Sequence, residues 1–242
     1  MVRRVPPSLL LTAILLAAVL PGPAAAGHDG WSAKAMDAPP RPPILAADCR
    51  LGNPAASTAF SGWWEGHETY AFLVDPAAGG CGCELGVALR AVHMLLGLDP
   101  GDTPEVQVQL MTAVAQGGCL HPGTVLDFAV AWPLPPVPAP GYHEVVLPVT
   151  FSCAETVSPY FVAVAFLDDT ADGDGIDLVG GGDATPCRTW NDWGNGWYDL
   201  VADIGFTRDL TLWADFDCCT APVGASHPTW TRLKAGYLGE RP

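Results

Sequence analysis

Positive charge is scarce in this chain. Eleven lysines and arginines stand against 26 aspartates and glutamates, a formal net charge of −15. A surface with that balance repels nucleic-acid phosphates and anionic lipid headgroups, so neither is expected as a partner. Long apolar runs are scarce too. The run Leu9–Leu20 is cut by Pro21 and Pro23 before the ~20 residues a bilayer needs, and no later run is long enough to span. The best-marked catalytic motifs are missing: no G-x-S-x-G, no H-E-x-x-H, no P-loop and no dinucleotide glycine fingerprint. The six histidines sit singly, without patterned partners. A lone histidine such as His93 is expected to pack or face solvent rather than to bind a metal.

What is present begins with an export signal. Arg3 and Arg4 form a positive n-region, Leu9–Leu20 an apolar h-region, and Ala24–Ala26 a small-residue cleavage site. Residues 1–26 are therefore expected to be removed and the protein to be secreted or held at the cell surface. Cleavage would take two arginines and no acid, making the remainder more acidic still.

The remainder holds eight cysteines: Cys49, Cys81, Cys83, Cys119, Cys153, Cys187, Cys218 and Cys219. An even count in an exported chain predicts disulfides. Eight cysteines allow about 105 pairings, so spacing alone selects none. Cys218 and Cys219 are neighbours and are expected to bond distant partners, pinning the last strand to the body. Zinc is disfavoured for Cys81-Gly-Cys83, which lacks the C-x-x-C spacing.

With 27 glycines and 24 prolines, the chain suits short strands and tight turns rather than a helical bundle. Glu105–Thr112 alternates apolar and polar residues and reads as a strand with one solvated face. Tyr160–Leu167 is apolar throughout and reads as a central strand. Leu85–Leu98 fits a helical stripe or a slipped strand, and its strand-rich surroundings favour a bulged strand. Pro148 marks an edge strand, since it cannot donate to a ladder. The predicted fold is an all-β, antiparallel, disulfide-stapled sandwich, specifically a jelly roll. Residues 27–43 are expected as a Pro/Ala-rich linker, 44–220 as the sandwich and 221–242 as a tail. Residues 178–189 and the surroundings of Cys119 are expected as loops.

Two segments carry candidate sites. Asp168, Asp169, Asp172, Asp174 and Asp177 lie in a Gly-rich stretch where spaced carboxylates can surround a calcium ion; a solvated turn is the plainer reading. Downstream, Trp190, Asn191, Asp192, Trp193 and Trp197 offer flat indoles and hydrogen-bonding groups for a glycan. The competing expectation is that these indoles pack under a long loop as a secondary core. Trp63 and Trp64 are adjacent, so a strand would send one inward and one outward. Trp213 is expected in the core.

Asp172-Gly-Asp-Gly-Ile-Asp177 resembles the calcium loops of thrombospondin type 3 repeats, which implies calcium binding here. Cys81-Gly-Cys83, the strands and Trp190-Asn-Asp-Trp-Gly194 resemble uncharacterised exported bacterial β-sandwich domains, a likeness that implies no activity. Pro228–Tyr237, with Trp230, Arg232, Lys234 and Tyr237, resembles the endings of some exported proteins of environmental bacteria, and is expected to sort the protein or fold back onto its acidic body.

The leading functional expectation is a non-catalytic module binding a glycan or an extracellular protein, with calcium as its cofactor. Its rivals are a carbohydrate hydrolase built on a carboxylate pair such as Glu65 and Asp192, and a cell-surface structural subunit that self-associates through strand edges.

Overall fold

The computed structural model describes residues 32–36, 47–61, 66–154, 158–167 and 176–220. The expected signal segment, most of the expected linker and the tail lie outside them, as do Trp63, Trp64 and Glu65. The described residues contain no helix, hence none long and apolar enough to cross a membrane.

The strands are β1 (Ser32–Ala35), β2 (Cys49–Asn53), β3 (Thr58–Ser61), β4 (Thr69–Val74), β5 (Val87–Leu98), β6 (Glu105–Gln116), β7 (Cys119–Phe128), β8 (Trp132–Pro133), β9 (Gly141–Pro148), β10 (Tyr160–Phe166), β11 (Asp177–Gly181), β12 (Thr189–Asp192), β13 (Trp197–Asp199), β14 (Asp209–Leu210) and β15 (Leu212–Cys218). They form an eight-stranded sheet, β1-β3-β11-β5-β15-β2 with β9 on β5 and β14 on β11. Opposite lies a seven-stranded sheet, β13-β12-β4-β10-β6-β7 with β8 on β6. Eight of these strands, β3, β4, β5, β6, β7, β9, β10 and β11, run β3-β11-β5-β9 in one sheet and β4-β10-β6-β7 in the other. That nesting, first-eighth-third-sixth against second-seventh-fourth-fifth, is the jelly roll. The remaining strands extend the two sheets.

Alternation explains which side chains fill the space between them. On β10, Tyr160, Val162, Val164 and Phe166 face the main core, while Phe161 and Ala163 enter a second apolar cluster on the far side of their sheet. An unbroken apolar strand is the consequence. On β6, Val106, Val108 and Leu110 join the main core; Gln107 and Gln109 lie opposite and bond each other at 2.9 Å.

β5 is the bulged strand. Ala91 opposes Asp215 and Leu89 opposes Phe216, which leaves Arg90 without an opposite number. The extra residue switches the face, so Val87 and Leu89 before it and Val92, Met94, Leu96 and Leu98 after it all reach the core. A one-residue slip of this kind is what made the segment read as partly helical. β9 pairs only with β5 among the described strands and ends at Pro148, as an edge strand should.

All eight cysteines are bonded, as Cys49–Cys81, Cys83–Cys218, Cys119–Cys187 and Cys153–Cys219. The two neighbours Cys218 and Cys219 each reach a distant partner and fasten the end of β15 on two sides. Cross-links of this type contribute ~2–4 kcal/mol each, chiefly by restricting the unfolded chain.

Three expectations about loops differ from the structure. Ser32–Ala35, inside the expected linker, pairs with β3 as an exposed outer strand. Asp177–Gly181, counted mostly as Gly-rich loop, is a strand between β3 and β5. Its Gly181 is there for closeness: a Cβ would lie 2.4 Å from the carbonyl carbon of Ala55. And Cys119 begins β7 rather than sitting in a loop.

Candidate functional site

The β12–β13 turn and the C-terminal end of β10 lie at the same end of the molecule. Asp192 pairs with Thr69, and Thr69 pairs with Ala165, the next-to-last residue of β10. The exit of β10 toward residues 168–175 is thus two strands from the turn, roughly 10 Å at ~4.8 Å per strand. Asp168, Asp169, Asp172 and Asp174 lie outside the described residues. Asp177 is the first residue of β11, opposite Gly97. A Cβ on Gly97 would come within 2.6 Å of the Asp177 Cβ and 3.1 Å of the Tyr142 ring, so glycine is what lets these two side chains flank it. Burial pushes the Tyr142 phenol above its usual range, and the charge of Asp177 pushes the same way.

In the turn, Asp192 Oδ1 accepts from the backbone N–H groups of Gly194 at 2.7 Å and Gly196 at 3.0 Å. The carboxylate thereby fixes the loop that carries Trp193. This indole is half-buried against the main core, with its ring 5.0 Å from that of Tyr198 at an angle of 48°. Trp197 is half-buried against the second cluster.

Trp190 and Asn191 are a correction to the expected platform. Trp190 is 2% exposed, packed with Ala71, Met111, Phe161 and Ala163, with His121 of β7 at 4.2 Å. The cause is register: Trp190 lies opposite Ala71, whose small side chain leaves room for an indole, and Cys119–Cys187 ties the start of β7 beside it. Asn191, fully buried, donates to the Thr69 carbonyl at 3.4 Å. This is the secondary core considered from the sequence. It holds Trp190 fully and Trp197 in part.

Among the described residues, one group of potential metal ligands converges: Cys119, Cys187 and Asp199. The two sulfurs are spent in a disulfide, and the carboxylate accepts from the N–H groups of Cys187, Val201 and Ala202. That group is a loop-fastening device.

A second polar constellation escaped the sequence reading. His93 of β5 is fully buried. Its Nδ1 lies 2.8 Å from Glu144 Oε1, and its Nε2 lies 3.1 Å from Asp215 Oδ2. Arg50 grips Asp215 with two bonds, Nε to Oδ1 at 2.7 Å and Nη2 to Oδ2 at 3.0 Å. The Trp213 ring stacks on His93 at 5.0 Å, with the Arg50 guanidinium 5.9 Å from its centroid. Carboxylates flank both ring nitrogens, so the hydrogen bonds are complete only with the imidazole doubly protonated or with a proton on one carboxylate. The hydrogen bond to Asp215 holds Arg50 above its already high pKa, against the opposing effect of burial. Trp213 is buried as expected, but on the face of its strand opposite Leu212, Ala214 and Phe216, which fill the main core. His93 itself is sealed from solvent.

The clefts on the surface include these two. One of about 470 Å³ is lined by apolar residues including Leu51, Leu73, Leu120 and Pro186, with Arg188 and the Cys119–Cys187 disulfide. The other, of about 370 Å³, is lined by Phe128, Val130, Trp132, Val149 and Phe151, with Asp127. Neither includes the Trp193 turn.

No family model matches the sequence, and no curated protein matches it. The solved structures that align with it include two of one clostridial protein. One contains the cysteine protease and lectin-like domains of Cwp84, a surface layer associated protein of Clostridium difficile, with a TM-score of 0.44 and 13% identity over 67% of this chain and 34% of that one. The other is a variant of the same clostridial protease after propeptide cleavage, with a TM-score of 0.45 and 15% identity over 63% of this chain and 36% of that one. The present chain therefore spans about a third of the length of each.

Proposed function

We propose that this protein is an exported, non-catalytic binding module that takes a glycan at the end of the sandwich bearing the β12–β13 turn. One observation carries the reading. Trp193 on the turn and Tyr198 on β13 hold half-buried rings 5.0 Å apart, and the backbone of the turn is already fixed by Asp192. Aromatic faces set before the ligand arrives suit sugar stacking and lower the ordering cost of binding. Four disulfides support an oxidising compartment. The burial of His93 between its two carboxylates supports binding without turnover. In this proposal calcium orders the connection 168–175 through Asp168, Asp169, Asp172 and Asp174, with Asp177 at its far end.

The test is a glycan array on the intact protein, followed by a reducing-sugar assay on whatever binds. The expected result is retention of at least one glycan class without release of reducing ends. Turnover abolished by Asp192→Asn would replace the module with a hydrolase, and an empty array would remove the glycan.

A further inference from the structure

We infer that the C-terminal segment Ala221–Pro242 closes the seam between edge strands β7 and β9 of its own chain, with its aromatic and aliphatic side chains seated in the cleft there. Among the described residues the seam is an open side of the sandwich. Among the described strands, β7 pairs only with β6 and β9 only with β5. Natural edges are usually guarded by charged side chains, above all lysine. β7 carries no lysine or arginine, and Asp127 is its one acid. Instead it exposes Val125, Leu126 and Phe128, the last at 60%, and Val130 just beyond is 84% exposed. They follow one another along one strand and its continuation, and Phe128 and Val130 border a cleft of about 370 Å³ whose other wall is Val149 and Phe151. A contiguous apolar surface of this kind marks a docking site.

The choice of occupant rests on where the chain leaves the body and on the residues beyond that point. Cys219 donates its N–H to the Gly86 carbonyl at 3.0 Å and is bonded to Cys153, two residues past Phe151 in the cleft wall. The segment beyond Thr220 therefore starts beside the cleft. At roughly 3.3 Å per extended residue it is long enough to run the length of β7. Its composition is complementary. Trp230, Leu233, Tyr237 and Leu238 supply apolar bulk, and Arg232, Lys234 and Arg241 outnumber Glu240 in a chain whose net charge is −15. Asp127 lines the cleft and offers the opposite charge. A second copy would bring another strongly acidic body to the same place, whereas a tethered segment acts at an effective concentration in the millimolar range.

Amide hydrogen exchange on the intact protein tests this, read over Cys119–Phe128 and compared with a Trp230→Ala/Leu233→Ala variant. Both substitutions lie beyond Thr220, in the docking segment, so the sandwich is expected to stay folded with at most a modest drop in melting temperature. The expected result is slow exchange of β7 amides in the parent, at least tenfold faster in the variant, at every protein concentration and with a monomer in sedimentation. Equal exchange in parent and variant would overturn the inference. So would protection that appears only as the protein dimerises, which would assign the seam to a second copy.

Discussion

Two tryptophans, Trp213 and Trp193, show how one residue type serves opposite ends. Trp213 sits in the middle of a paired strand, between β5 and β2, with His93 stacked on it and Arg50 close by. Trp193 sits on a turn beside Tyr198, with part of its surface open. The first is 1% exposed and is framework. The second is half-buried and, in the proposed function, is where a partner molecule would stack. The setting of Trp213 also shows how a sheet can bury its outer face under polar side chains. Two carboxylates, one guanidinium and one imidazole bond one another across four strands, with Glu144 Oε2 left over. The arrangement holds only while every member is present.

That contrast can be broken, and the largest effect is expected on the framework side. Asp215→Ala leaves Arg50 and His93 facing a void; removing one partner of a buried charged group costs ~3–5 kcal/mol, read by urea denaturation. Trp213→Ala should cost a similar ~3–5 kcal/mol by cavity formation. If either variant melted like the parent, the cluster would not be framework. Next in size is calcium. At 100 times its dissociation constant it would add ~2.7 kcal/mol, so a chelator should lower the melting temperature, and Asp172→Asn with Asp174→Asn should abolish that response. Identical melting with and without chelator would remove calcium from the account.

Smaller again is the stability change from Trp193→Ala, expected at about 1 kcal/mol or less because the ring is only partly buried. Its effect belongs to binding. The smallest effect concerns pH. Burial raises the carboxyl of Asp209 above the usual range, against the opposing pull of Thr185 and Arg188. A carboxyl with a raised folded pKa contributes its full stability below the unfolded value and loses it as pH rises through the folded one. Asp209→Asn should therefore gain melting temperature relative to the parent as pH climbs above the ordinary carboxylate range. A constant offset between the two from acid to neutral pH would show that Asp209 does not titrate in this way.

Much of the frame was legible because it is written locally. The alternation of Glu105–Thr112, the apolar run Tyr160–Leu167 and the proline at position 148 each reflect the two-residue period or the missing N–H of a single strand. The bulge at Arg90 was half legible, as a slip between two apolar registers. The His93 cluster was not legible. Its bonds join residues 51, 122 and 165 positions apart, and nothing in a local pattern aligns Glu144, His93, Asp215 and Arg50 until the strand registers are set. Leu212–Phe216 alternates in plain view, yet alternation alone does not say which set faces the main core when both faces are buried. Trp190 and Trp193 lie three residues apart in one motif. Only the pairing of Trp190 with Ala71 separates the buried indole from the accessible one.

The most direct measurement is the affinity of the parent and of Trp193→Ala for the glycan class that the array selects, determined on proteins of matched melting temperature. The account predicts at least a tenfold weaker dissociation constant for the variant, with the fold intact. Equal affinities would contradict it, since the turn would then be one more packed corner of the sandwich and the ligand would bind elsewhere.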